Sequence, residues 1–484
     1  MKLKELIAEI TVLDVHADLN TEISDITNDS RAVKEGCAFV AVKGTVTDGH
    51  KYIPQAVNLG AAVIFCQEKP TVEVPYILVH DSRHALAMGA KALFRDPSSQ
   101  MQVIGITGTN GKTTTTNLLK HVLQDCLQAK VGLIGTNGNM IGDEVIPTER
   151  TTPESRDLQE LFRMMVDRGC THAVMEVSSH ALDQGRVDGT EFDVGVFTNL
   201  TQDHLDYHHT MENYAAAKAK LFTRCKKGIV NVDDPWSGTM MDAATCPIFT
   251  FGQHHEANLV AEHVRYMASG VSFDVRSGGQ VGHVDLGIPG TFSVYNGLTV
   301  LAIAMELGIE LGVACQSLST AKGVKGRVEV VPTDGDYTIL IDYAHTPDAL
   351  ENVLVSMRQV TEGRLVILFG CGGDRDKTKR PIMGEIAGRL ADQVIVTSDN
   401  PRTEVPGEII QDIIHGMKES TARIEVIEER PKAIAWAIEH HRPGDVIILA
   451  GKGHEDYQII GTEKHHMDER EIVAEILEKR RNTI

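Results

Sequence analysis

Short apolar runs alternate with polar, glycine-rich turns and helical stretches along the whole 484-residue chain. In the first hundred residues, Ala38–Val42 and Ala61–Cys66 predict two short buried strands. From Met101 the pattern becomes a strand, a loop rich in Gly and Thr, and a helix. The next strands are predicted at Ala173–Met175, Val194–Phe197 and Gly228–Val232. Strands that alternate with helices are typical of a parallel sheet covered by helices, so the predicted fold class is α/β.

Two changes in this pattern divide the chain into three predicted domains. Asp96–Gln100 places Pro and Ser between an alanine-rich helix and a new strand, so we interpret it as a linker. Residues near 255–290 have the alternation of antiparallel hairpins, and the second boundary is placed just after Arg327. The predicted domains are a small mixed α/β domain at 1–98, a central parallel-sheet domain at 99–328 and a C-terminal domain at 329–484.

Four apolar strands of the third predicted domain run straight into polar or glycine-rich residues. The strands are predicted at Thr338–Ile341, Leu365–Leu368, Val394–Val396 and Val446–Leu449. The segments that follow them are DYAHTP, GCGGDRDK, SDNPR and AGKGHED. Because ligands of open α/β sheets bind at the carboxyl ends of the strands, these segments predict a second half-site.

The charge balance narrows the possible partners. The chain has 47 Lys and Arg against 67 Asp and Glu, a net charge of −20, whereas a nucleic-acid backbone requires a basic surface. We therefore expect no nucleic-acid partner. No apolar run approaches the roughly 18 residues that span a bilayer, and Glu5 and Glu9 interrupt a start that would be apolar in a signal peptide. The expected location is the cytoplasm, with all eight cysteines reduced, since they form no CxxC pair.

The strongest chemical signal is GITGTNGKT at Gly105–Thr113, between the strand Gln102–Ile104 and a helical run. Glycines let backbone N–H groups approach phosphate oxygens, a lysine bridges the outer phosphates, and a threonine hydroxyl can bind Mg²⁺. The match to the phosphate-binding loop (P-loop) pattern is imperfect, because Ile106 stands where that pattern has its first glycine. The alternative is a Gly/Thr turn with a solvated lysine.

The motif MEVSSH ends an apolar strand with a carboxylate. P-loop enzymes commonly hold Mg²⁺ at that place, which makes Glu176 a candidate ligand. The alternative is that Ser178 or Ser179 simply caps the helix that follows.

The motif NLTQDHLDYHH places His204 and His208 four residues apart, a spacing that puts both on one face of a helix. A zinc pair is conceivable, but no third ligand has a suitable spacing, and surface histidines are the alternative. Lys218 and Lys220 follow in the alanine-rich helix YAAAKAKLF, where solvation of both is the simple interpretation.

The motifs occur in one order: the P-loop, MEVSSH, NLTQDHLDYH, YAAAK, GRVE, DYAHTP, GCGGDRDKTKRP, SDNPR and AGKGHE. Together they resemble the Mur ligases, and among them the members that add meso-diaminopimelate. The resemblance spans essentially the whole chain. It implies an N-terminal domain for the uridine nucleotide, a central P-loop domain for ATP and a C-terminal Rossmann-like domain for the amino acid. It also implies small-molecule substrates, and we expect a monomer.

The implied reaction joins meso-diaminopimelate to UDP-MurNAc-L-Ala-D-Glu with conversion of ATP to ADP and phosphate, in peptidoglycan precursor synthesis. The γ-carboxyl of D-Glu is phosphorylated first, and the amine then attacks the acyl phosphate. Phosphorylation supplies a leaving group, but it brings two anions together and so requires cations. The implied catalytic residues are Lys112, Lys218 and His204.

The resemblance also implies the ATP and metal sites. The residues for ATP are Gly108, Thr109, Asn110, Gly111, Lys112, Thr113, Thr114, Asn296, Arg327 and Asp342. The residues for Mg²⁺ are Thr113, Glu176, His204 and Lys218, the last as a carbamate formed with CO₂. Carbamylation turns a cation into an anionic ligand and requires a neutral amine, which burial favours. Arg327 is expected to clamp phosphate, with a surface ion pair as the alternative.

For the UDP-MurNAc-dipeptide, the implied residues are Ser30, Thr151, Thr152, Ser178, Gln184 and Arg186. Arg150 departs from the family pattern, since some relatives have Asn there, and no contact is carried over to it.

For meso-diaminopimelate, the implied residues are Arg375, Asp399, Asn400, Pro401, Arg402, Gly451 and Glu455. This amino acid is a lysine with an extra carboxylate on its far end, and Arg402 is expected to pair with that carboxylate in a fork. Lysine would leave a buried Arg402 unpaired, which costs roughly 2–5 kcal/mol. The alternative for DNPR is an Asn-Pro turn with an exposed arginine.

Three other functions compete with this interpretation. A sibling Mur ligase or a folylpolyglutamate synthetase is disfavoured by the combination of DNPR and GKGHE. A regulatory protein that binds ATP as a conformational ligand would leave the four polar strand ends unexplained. A dinucleotide-binding oxidoreductase is disfavoured because Asp456 stands where GxGxxG needs its third glycine.

Overall fold

A computed structural model of the chain describes residues 1–44, 47–148, 150–254 and 256–481. The chain forms two compact units. The first contains Met1–Val260 and Thr299–Glu310, and the second contains Ala261–Leu298 and Leu311–Ile484. The domain boundaries at 98/99 and 328/329 remain predictions. His255, in the predicted hairpin region, lies outside the described residues.

The first unit begins with a five-stranded sheet. Its strands are β1 (Val12–His16), β2 (Ile26–Thr27), β3 (Ala38–Val40), β4 (Val63–Cys66) and β5 (Tyr76–Val79). The accompanying helices are α1 (Leu3–Leu6), α2 (Ile53–Asn58) and α3 (Ser82–Leu93). The spatial order is β1-β5-β4-β3-β2, and all pairs are parallel except β1 with β5. The wholly buried strands β3 and β4 lie in the two apolar runs that predicted strands.

A larger sheet forms the rest of the first unit. Its strands are β6 (Gln102–Thr107), β7 (Val131–Ile134), β8 (Asn139–Ile141), β9 (Glu144–Ile146), β10 (His172–Glu176), β11 (Phe192–Phe197), β12 (Cys225–Asn231) and β13 (Ile248–Gly252). Within this unit the order is β13-β12-β11-β6-β10-β7-β8-β9. The six strands from β13 to β7 are parallel, so the carboxyl ends of β11, β6 and β10 are neighbours.

Six helices accompany this sheet. They are α4 (Lys112–Leu127), α5 (Ser155–Asp167), α6 (Ser179–Asp183), α7 (Leu205–His208), α8 (Met211–Ala219) and α9 (Ser237–Ala243). Asp96–Gln100 connects α3 to β6, as a linker would. Its residues Pro97–Gln100 form a 3₁₀ helix with Pro97 and Ser98 buried, so this connection is a packed part of the unit.

The second unit contains the predicted hairpin region. Its elements are β14 (Leu259–Met267, which begins in the first unit), β15 (Gly270–Ser277), β16 (Gln280–Leu286), α10 (Thr291–Glu306, which ends in the first unit) and α11 (Leu311–Thr320). β15 and β16 pair in antiparallel register from Val271 with Leu286 to Ser277 with Gln280. The hairpin prediction is therefore confirmed for these two strands.

A six-stranded sheet forms the remainder of the second unit. Its strands are β17 (Glu329–Val331), β18 (Tyr337–Asp342), β19 (Leu365–Phe369), β20 (Gln393–Val396), β21 (Arg423–Val426) and β22 (Asp445–Ala450), and a hairpin of β23 (Tyr457–Ile460) and β24 (Glu463–His466) follows. The order is β17-β18-β22-β19-β20-β21, with only β17 antiparallel. The four predicted strands correspond to β18, β19, β20 and β22.

Helices cover both faces of this sheet. They are α12 (Pro347–Arg358), α13 (Lys379–Leu390), α14 (Pro406–His415), α15 (Arg430–Glu439) and α16 (Glu469–Arg481). Ile367 and Phe369 of β19 join the core formed with α12, α13 and α14, whereas Val366 and Leu368 join the core formed with α15 and α16. This two-residue alternation is the reason for the continuous apolar runs, because a strand covered on both faces has no polar face. The α/β prediction is confirmed.

Among the described helices, none combines the length and the apolar character that crossing a lipid bilayer requires.

Candidate active site

The P-loop connects β6 to α4. Gly108 has φ +150°, and a Cβ at this residue would lie 1.9 Å from Thr198 Oγ1, so the close approach of the two loops requires glycine. Gly111 has φ +85° and immediately precedes α4. Lys112 Nζ donates to the carbonyl oxygens of Gly108 at 2.8 Å and Thr109 at 2.9 Å. The lysine therefore folds over the loop instead of extending into solvent, which argues against the solvated-lysine alternative.

Glu176 lies beside the first turn of α4. Thr113 Oγ1 donates to Glu176 Oε1 at 2.9 Å, and Thr136 donates to the same carboxylate through its N–H and its hydroxyl. Only 1% of Glu176 is exposed. The parallel pairing of β6 with β10 places these two strand ends together, and the result is a buried cluster of oxygen ligands of the kind that Mg²⁺ prefers.

Lys218 is the most unusual cation of the first unit. Its side chain is 1% exposed, and Nζ donates to the Gly108 carbonyl at 2.9 Å and lies 4.5 Å from the centre of the Tyr214 ring. Burial, reinforced by the nearby charge of Lys112, holds the pKa of Lys218 well below its ordinary value of 10.5. Lys220 is exposed and pairs with Asp183 at 2.7 Å. Solvation, the simple interpretation for both lysines, is therefore wrong for Lys218.

The two histidines of NLTQDHLDYHH have different surroundings. α7 has only four residues, and His204 precedes it with φ +53°, half-exposed and 3.5 Å from Asp203. His208 is buried, and its Nε2 lies 2.9 Å from Ser179 Oγ. Burial and the neighbouring His180 lower the pKa of His208 to about 4. The surface alternative is therefore wrong for His208.

The ring of His180 contacts the rings of both His204 and His208. Its ring centre lies 4.9 Å from that of His204 and 5.5 Å from that of His208. The described residues contain no group of three His, Cys, Asp or Glu side chains arranged to hold a metal ion, so the zinc pair gains no third ligand. A metal ion at His204 would need ligands other than a cluster of three His, Cys, Asp or Glu side chains.

A hydrogen-bonded chain joins four of the residues implied for the dipeptide, Thr152, Ser178, Gln184 and Arg186. Thr152 Oγ1 donates to the Glu176 carbonyl at 2.9 Å, and the Ser178 N–H donates to Thr152 Oγ1 at 3.0 Å. Arg186 donates to the Thr152 carbonyl at 3.2 Å and to Gln184 Oε1 at 2.7 Å. Ser178 Oγ also accepts from Ala181 N, so the helix-capping interpretation is correct and coexists with a place at the site. Thr151 Oγ1 lies 3.0 Å from Thr136 Oγ1.

Ser30 lines a cavity of about 1320 Å³ in the first unit. The cavity also contacts Thr27, Gln55, Arg150 and Arg156. Ser30 is buried and donates to Gln55 Oε1 at 3.1 Å, whereas Arg150 is exposed and contacts Glu154. The volume is suited to a large polar ligand with several functional groups.

The second unit contains the other three residues implied for ATP. Asn296 is a buried residue of α10. Asp342 ends β18 and accepts from the N–H groups of Val328 and Ala344, both at 2.8 Å, and burial raises its pKa. The half-buried Arg327 lies with its guanidinium carbon 5.3 Å from the centre of the Tyr343 ring. This stacked arrangement differs from the exposed ion pair that the sequence left open.

The loops after β20 and β22 meet in the second unit. Asn400 donates through Nδ2 to Glu455 Oε2 at 2.9 Å, and Lys452 Nζ lies 2.8 Å from the same oxygen. Gly451 has φ +109°, and a Cβ there would lie 2.8 Å from Asp399 Oδ2, so glycine permits the contact between the two loops. Asp399, Asn400 and Pro401 are all buried, which is unusual for a simple surface turn.

Arg402 extends from the DNPR segment towards the loop after β19. It has φ +53° and is only partly exposed, and its Nη1 donates to the Gly373 carbonyl at 2.8 Å. The alternative of an exposed arginine on an Asn-Pro turn is therefore not what the structure shows. Arg375 is exposed and donates to its neighbour's carbonyl, that of Asp374, at 3.1 Å.

A buried ion pair fixes the loop that Arg402 contacts. Arg380, 1% exposed, holds Glu404 with two parallel bonds of 2.9 and 3.1 Å and donates to the Gly372 carbonyl at 3.4 Å. Hydrogen bonds from Arg380 and Lys377 lower the pKa of Glu404 to about 2. The fork geometry is the strong form of an ion pair, so Gly372 has a fixed position.

Glu404→Gln is expected to reduce the loss of stability in acid. Since the pKa of Glu404 is about 2 in the folded chain and ordinarily 4.5, its contribution is complete above about pH 4.5 and disappears as the pH falls towards 2. Urea unfolding of the wild type and the variant between pH 2 and 7 measures the difference. Glu408→Gln, at an exposed residue of α14, is the control. Equal acid sensitivity of wild type and Glu404→Gln would show that the ion pair contributes nothing.

Comparison with known proteins decides the family. Residues 22–93 match the model of the Mur ligase family, catalytic domain, residues 106–304 match the Mur ligase middle domain, and residues 326–453 match the Mur ligase, glutamate ligase domain. A UDP-N-acetylmuramoyl-L-alanyl-D-glutamate–2,6-diaminopimelate ligase of Caldanaerobacter subterraneus subsp. tengcongensis is 48% identical over 469 residues, which are 96% of each chain. The chain belongs to the Mur ligase family.

Further relatives cover this Mur ligase from end to end. A Clostridioides difficile protein of the same name is 43% identical, over 99% of this chain and 100% of its own. A solved structure of a UDP-N-acetylmuramoyl-L-alanyl-D-glutamate–2,6-diaminopimelate ligase is 32% identical, with a TM-score of 0.77 over 99% of both chains. MurF ligase from Thermotoga maritima in complex with ADP, 21% identical, has a TM-score of 0.59 over 96% of this chain and 98% of its own, and shows the shared fold.

Sequence reasoning missed four residues of this Mur ligase that contact the predicted site residues or, for Arg380, the loop that Arg402 contacts. Thr136 follows β7 and bonds Glu176, so the strand-end rule that selected Glu176 would also have found it. Lys452 stands inside GKGHE, and Arg380 inside GCGGDRDKTKRP, but nothing in either motif indicates burial. Tyr214, which packs on Lys218, has no signal beyond an apolar position in α8.

Proposed function

We propose that this Mur ligase joins meso-diaminopimelate to UDP-N-acetylmuramoyl-L-alanyl-D-glutamate with conversion of ATP to ADP and phosphate, through an acyl phosphate. The observation that carries the proposal is the convergence of Lys112 and Lys218 on the Gly108 carbonyl, beside the Thr113–Glu176 pair. Phosphoryl transfer to a carboxylate requires such a concentration of cations and metal ligands. The substrates follow from the names of the full-length relatives and from the residues around Arg402.

The first unit would bind the triphosphate. The N-terminus of α4, which begins at Lys112, would face the phosphates, and Lys112 would exchange its loop carbonyls for phosphate oxygens. The P-loop residues proposed for ATP are Gly108, Thr109, Asn110, Gly111, Lys112, Thr113 and Thr114. In the second unit, Asn296, Arg327 and Asp342 would contact the base, phosphates or ribose.

The side chains around Glu176 would hold one Mg²⁺, and a second Mg²⁺ would lie near His204. Thr113 and Glu176 would supply oxygens to the first ion. His204 would supply a half-exposed imidazole, and the carbamate of Lys218 would add a further anionic oxygen. Bound Mg²⁺ would neutralise phosphate charge and polarise the transferring phosphoryl group. The hydrogen bonds from Thr136 keep the Glu176 carboxylate directed at this place.

Lys218 has the properties that carbamylation needs. Burial and the charge of Lys112 hold its pKa well below the ordinary value, which raises the neutral fraction of the amine. The neutral amine would attack CO₂ to form the C–N bond and release one proton. The product is an anion in place of a cation, which relieves the repulsion from Lys112. The burial of Lys218 keeps water, which would compete with CO₂ for the site, away from the amine.

The UDP-MurNAc-dipeptide would extend from the cavity at Ser30 to the chain of hydrogen bonds at Thr152. Arg186 and Gln184 then face the D-Glu carboxylates, and Thr151 and Ser178 supply hydroxyls. These contacts would hold the γ-carboxylate for attack on the terminal phosphoryl group, so that positioning replaces a random encounter.

The diamino acid would bind at the DNPR and GKGHE loops. Arg402 would exchange the Gly373 carbonyl for the distal carboxylate, and the exposed Arg375 would reach the other carboxylate. Glu455 would receive the distal ammonium, with Asp399, Asn400, Pro401 and Gly451 shaping the pocket around it.

We also propose that the protein is a cytoplasmic monomer in peptidoglycan precursor synthesis, with no nucleic-acid partner.

A phosphate-release assay with the UDP-MurNAc-dipeptide and ATP tests the proposal. Turnover is expected with meso-diaminopimelate, and at least about 100-fold less with L-lysine, because lysine lacks the distal carboxylate that Arg402 would bind with two charge-assisted hydrogen bonds. Equal rates with both amino acids would refute the selection by Arg402. Phosphate release that ignores the muramyl peptide would favour the regulatory ATP-binding alternative.

A further inference from the structure

We propose that Lys452 is a positioning residue for the diamino acid, because its ammonium sets the orientation of both Glu455 and Asn400. The inference rests on the proposed function and deepens it. It assigns a role to a lysine of the GKGHE motif for which the motif alone indicates no function, and which would not itself contact substrate.

The three side chains form a closed triangle of hydrogen bonds. Lys452 is completely buried, and its Nζ lies 2.9 Å from Asn400 Oδ1 and 2.8 Å from Glu455 Oε2. Asn400 Nδ2 closes the triangle with a 2.9 Å bond to the same Glu455 oxygen. All three contacts have good hydrogen-bond lengths, and all three are charge-assisted, because each includes the Lys452 ammonium or the Glu455 carboxylate.

The triangle leaves one oxygen of Glu455 for a ligand. Both bonds that Glu455 accepts end on Oε2, and within the described part of the chain no donor bonds Oε1. The carboxylate is therefore held by one oxygen and presents the other. An incoming ammonium needs such an acceptor with a fixed direction.

The same ammonium fixes the amide of Asn400. Asn400 Oδ1 accepts from Lys452 Nζ and from Ile459 N, both at 2.9 Å. Rotation of the amide by 180° would place its NH₂ group against these two donors, so the observed orientation is enforced. This orientation directs Nδ2 towards Glu455.

Lys452 also connects two loops that the sheet itself does not join. Asn400 follows β20 and Lys452 follows β22, and β19 lies between these strands. The bond from Lys452 to Asn400 thus links the DNPR and GKGHE loops across the end of β19. Without the ammonium, the bond from Asn400 Nδ2 to Glu455 would be the one remaining contact of the triangle. The Glu455 carboxylate could then rotate about this single bond.

Steady-state kinetics of Lys452→Met test this role. The KM for meso-diaminopimelate is expected to rise about tenfold or more, with kcat and the KM values for ATP and the UDP-dipeptide within about twofold of wild type. Lys464→Met is the matched control, since Lys464 is exposed and its Nζ lies 4.2 Å from the centre of the Tyr457 ring that Lys452 also faces at 5.3 Å. The control should retain wild-type constants.

A double-mutant cycle with Glu455→Gln separates positioning from general stability. If Lys452 acts through Glu455, the double variant should have a KM for meso-diaminopimelate no higher than the worse single variant. The inference would be overturned if the effects of the two substitutions on the KM for meso-diaminopimelate were additive. It would also be overturned if Lys452→Met raised the KM values for all three substrates equally, or left the KM for meso-diaminopimelate unchanged. If Lys452→Met does not fold, Lys452→Gln, which keeps a donor without the charge, replaces it under the same criteria. A wild-type enzyme inactive with meso-diaminopimelate would instead overturn the proposed function.

Discussion

Lys218→Ala is expected to lower kcat by at least about 10³-fold, a loss of roughly 4 kcal/mol of transition-state stabilisation. The variant removes the buried amine that bonds the Gly108 carbonyl and, as a carbamate, would contribute a metal ligand. Short carboxylic acids such as formate and acetate should restore part of the activity, because they can occupy the space and supply the missing anionic oxygen. Phosphate release with and without added acid measures both effects.

The neighbouring lysine provides the control for this prediction. Lys220 is two residues away in the same alanine-rich segment, but it is exposed and pairs with Asp183. Lys220→Ala should therefore keep most of the activity and show no response to carboxylic acids. Full activity of Lys218→Ala without any additive would remove Lys218 from the mechanism. Thermal unfolding of both variants distinguishes a chemical defect from a folding defect.

Arg402→Ala is expected to lower kcat/KM for meso-diaminopimelate by about 10²- to 10³-fold, since it removes a two-bond, charge-assisted contact to the distal carboxylate. Affinity for ATP should stay unchanged. Arg402→Lys should recover only part of the loss, because an ammonium keeps the charge but cannot form the fork. Phosphate-release kinetics and nucleotide titration measure the two quantities separately.

Arg389→Ala is the matched control for Arg402→Ala. Arg389 belongs to α13 of the same unit, is exposed, and pairs with Glu351 at 2.7 Å. A surface ion pair of this kind contributes about 0–1 kcal/mol to stability, and no effect on the amino acid is expected. A parallel loss of ATP affinity in Arg402→Ala would show that Arg402 had been assigned to the wrong ligand.

Order along the chain was sufficient to predict which polar residues lie at the ends of strands. Glu176, Asp342 and Asp399 each follow an apolar run, and parallel strands bring such ends to one edge of a sheet. The P-loop was likewise predicted despite Ile106, because a strand, glycines and a helix N-terminus specify the local geometry. These features depend on neighbours close in sequence.

The histidines show where this reasoning stops. A spacing of four residues placed His204 and His208 on one helix face, but the helix has a single turn and His204 precedes it with a left-handed backbone. The pattern could not reveal that Ser179 and His180, from a different element, enclose His208. The low pKa of His208 depends on that enclosure.

The sequence by itself determined the α/β class, the family and the residue types available at each strand end, because these follow from periodicity and from motifs in order. Only the tertiary structure decided which of those groups lose their water. Lys218 and Lys220 both belong to the alanine-rich segment YAAAKAKLF, yet one is buried against the P-loop and the other is solvated. Lys452 likewise was identified as a candidate functional residue only from its burial. Desolvation depends on segments distant in the chain. It shifts the pKa of a charged side chain and so gives that side chain a reactivity that an exposed residue of the same type lacks.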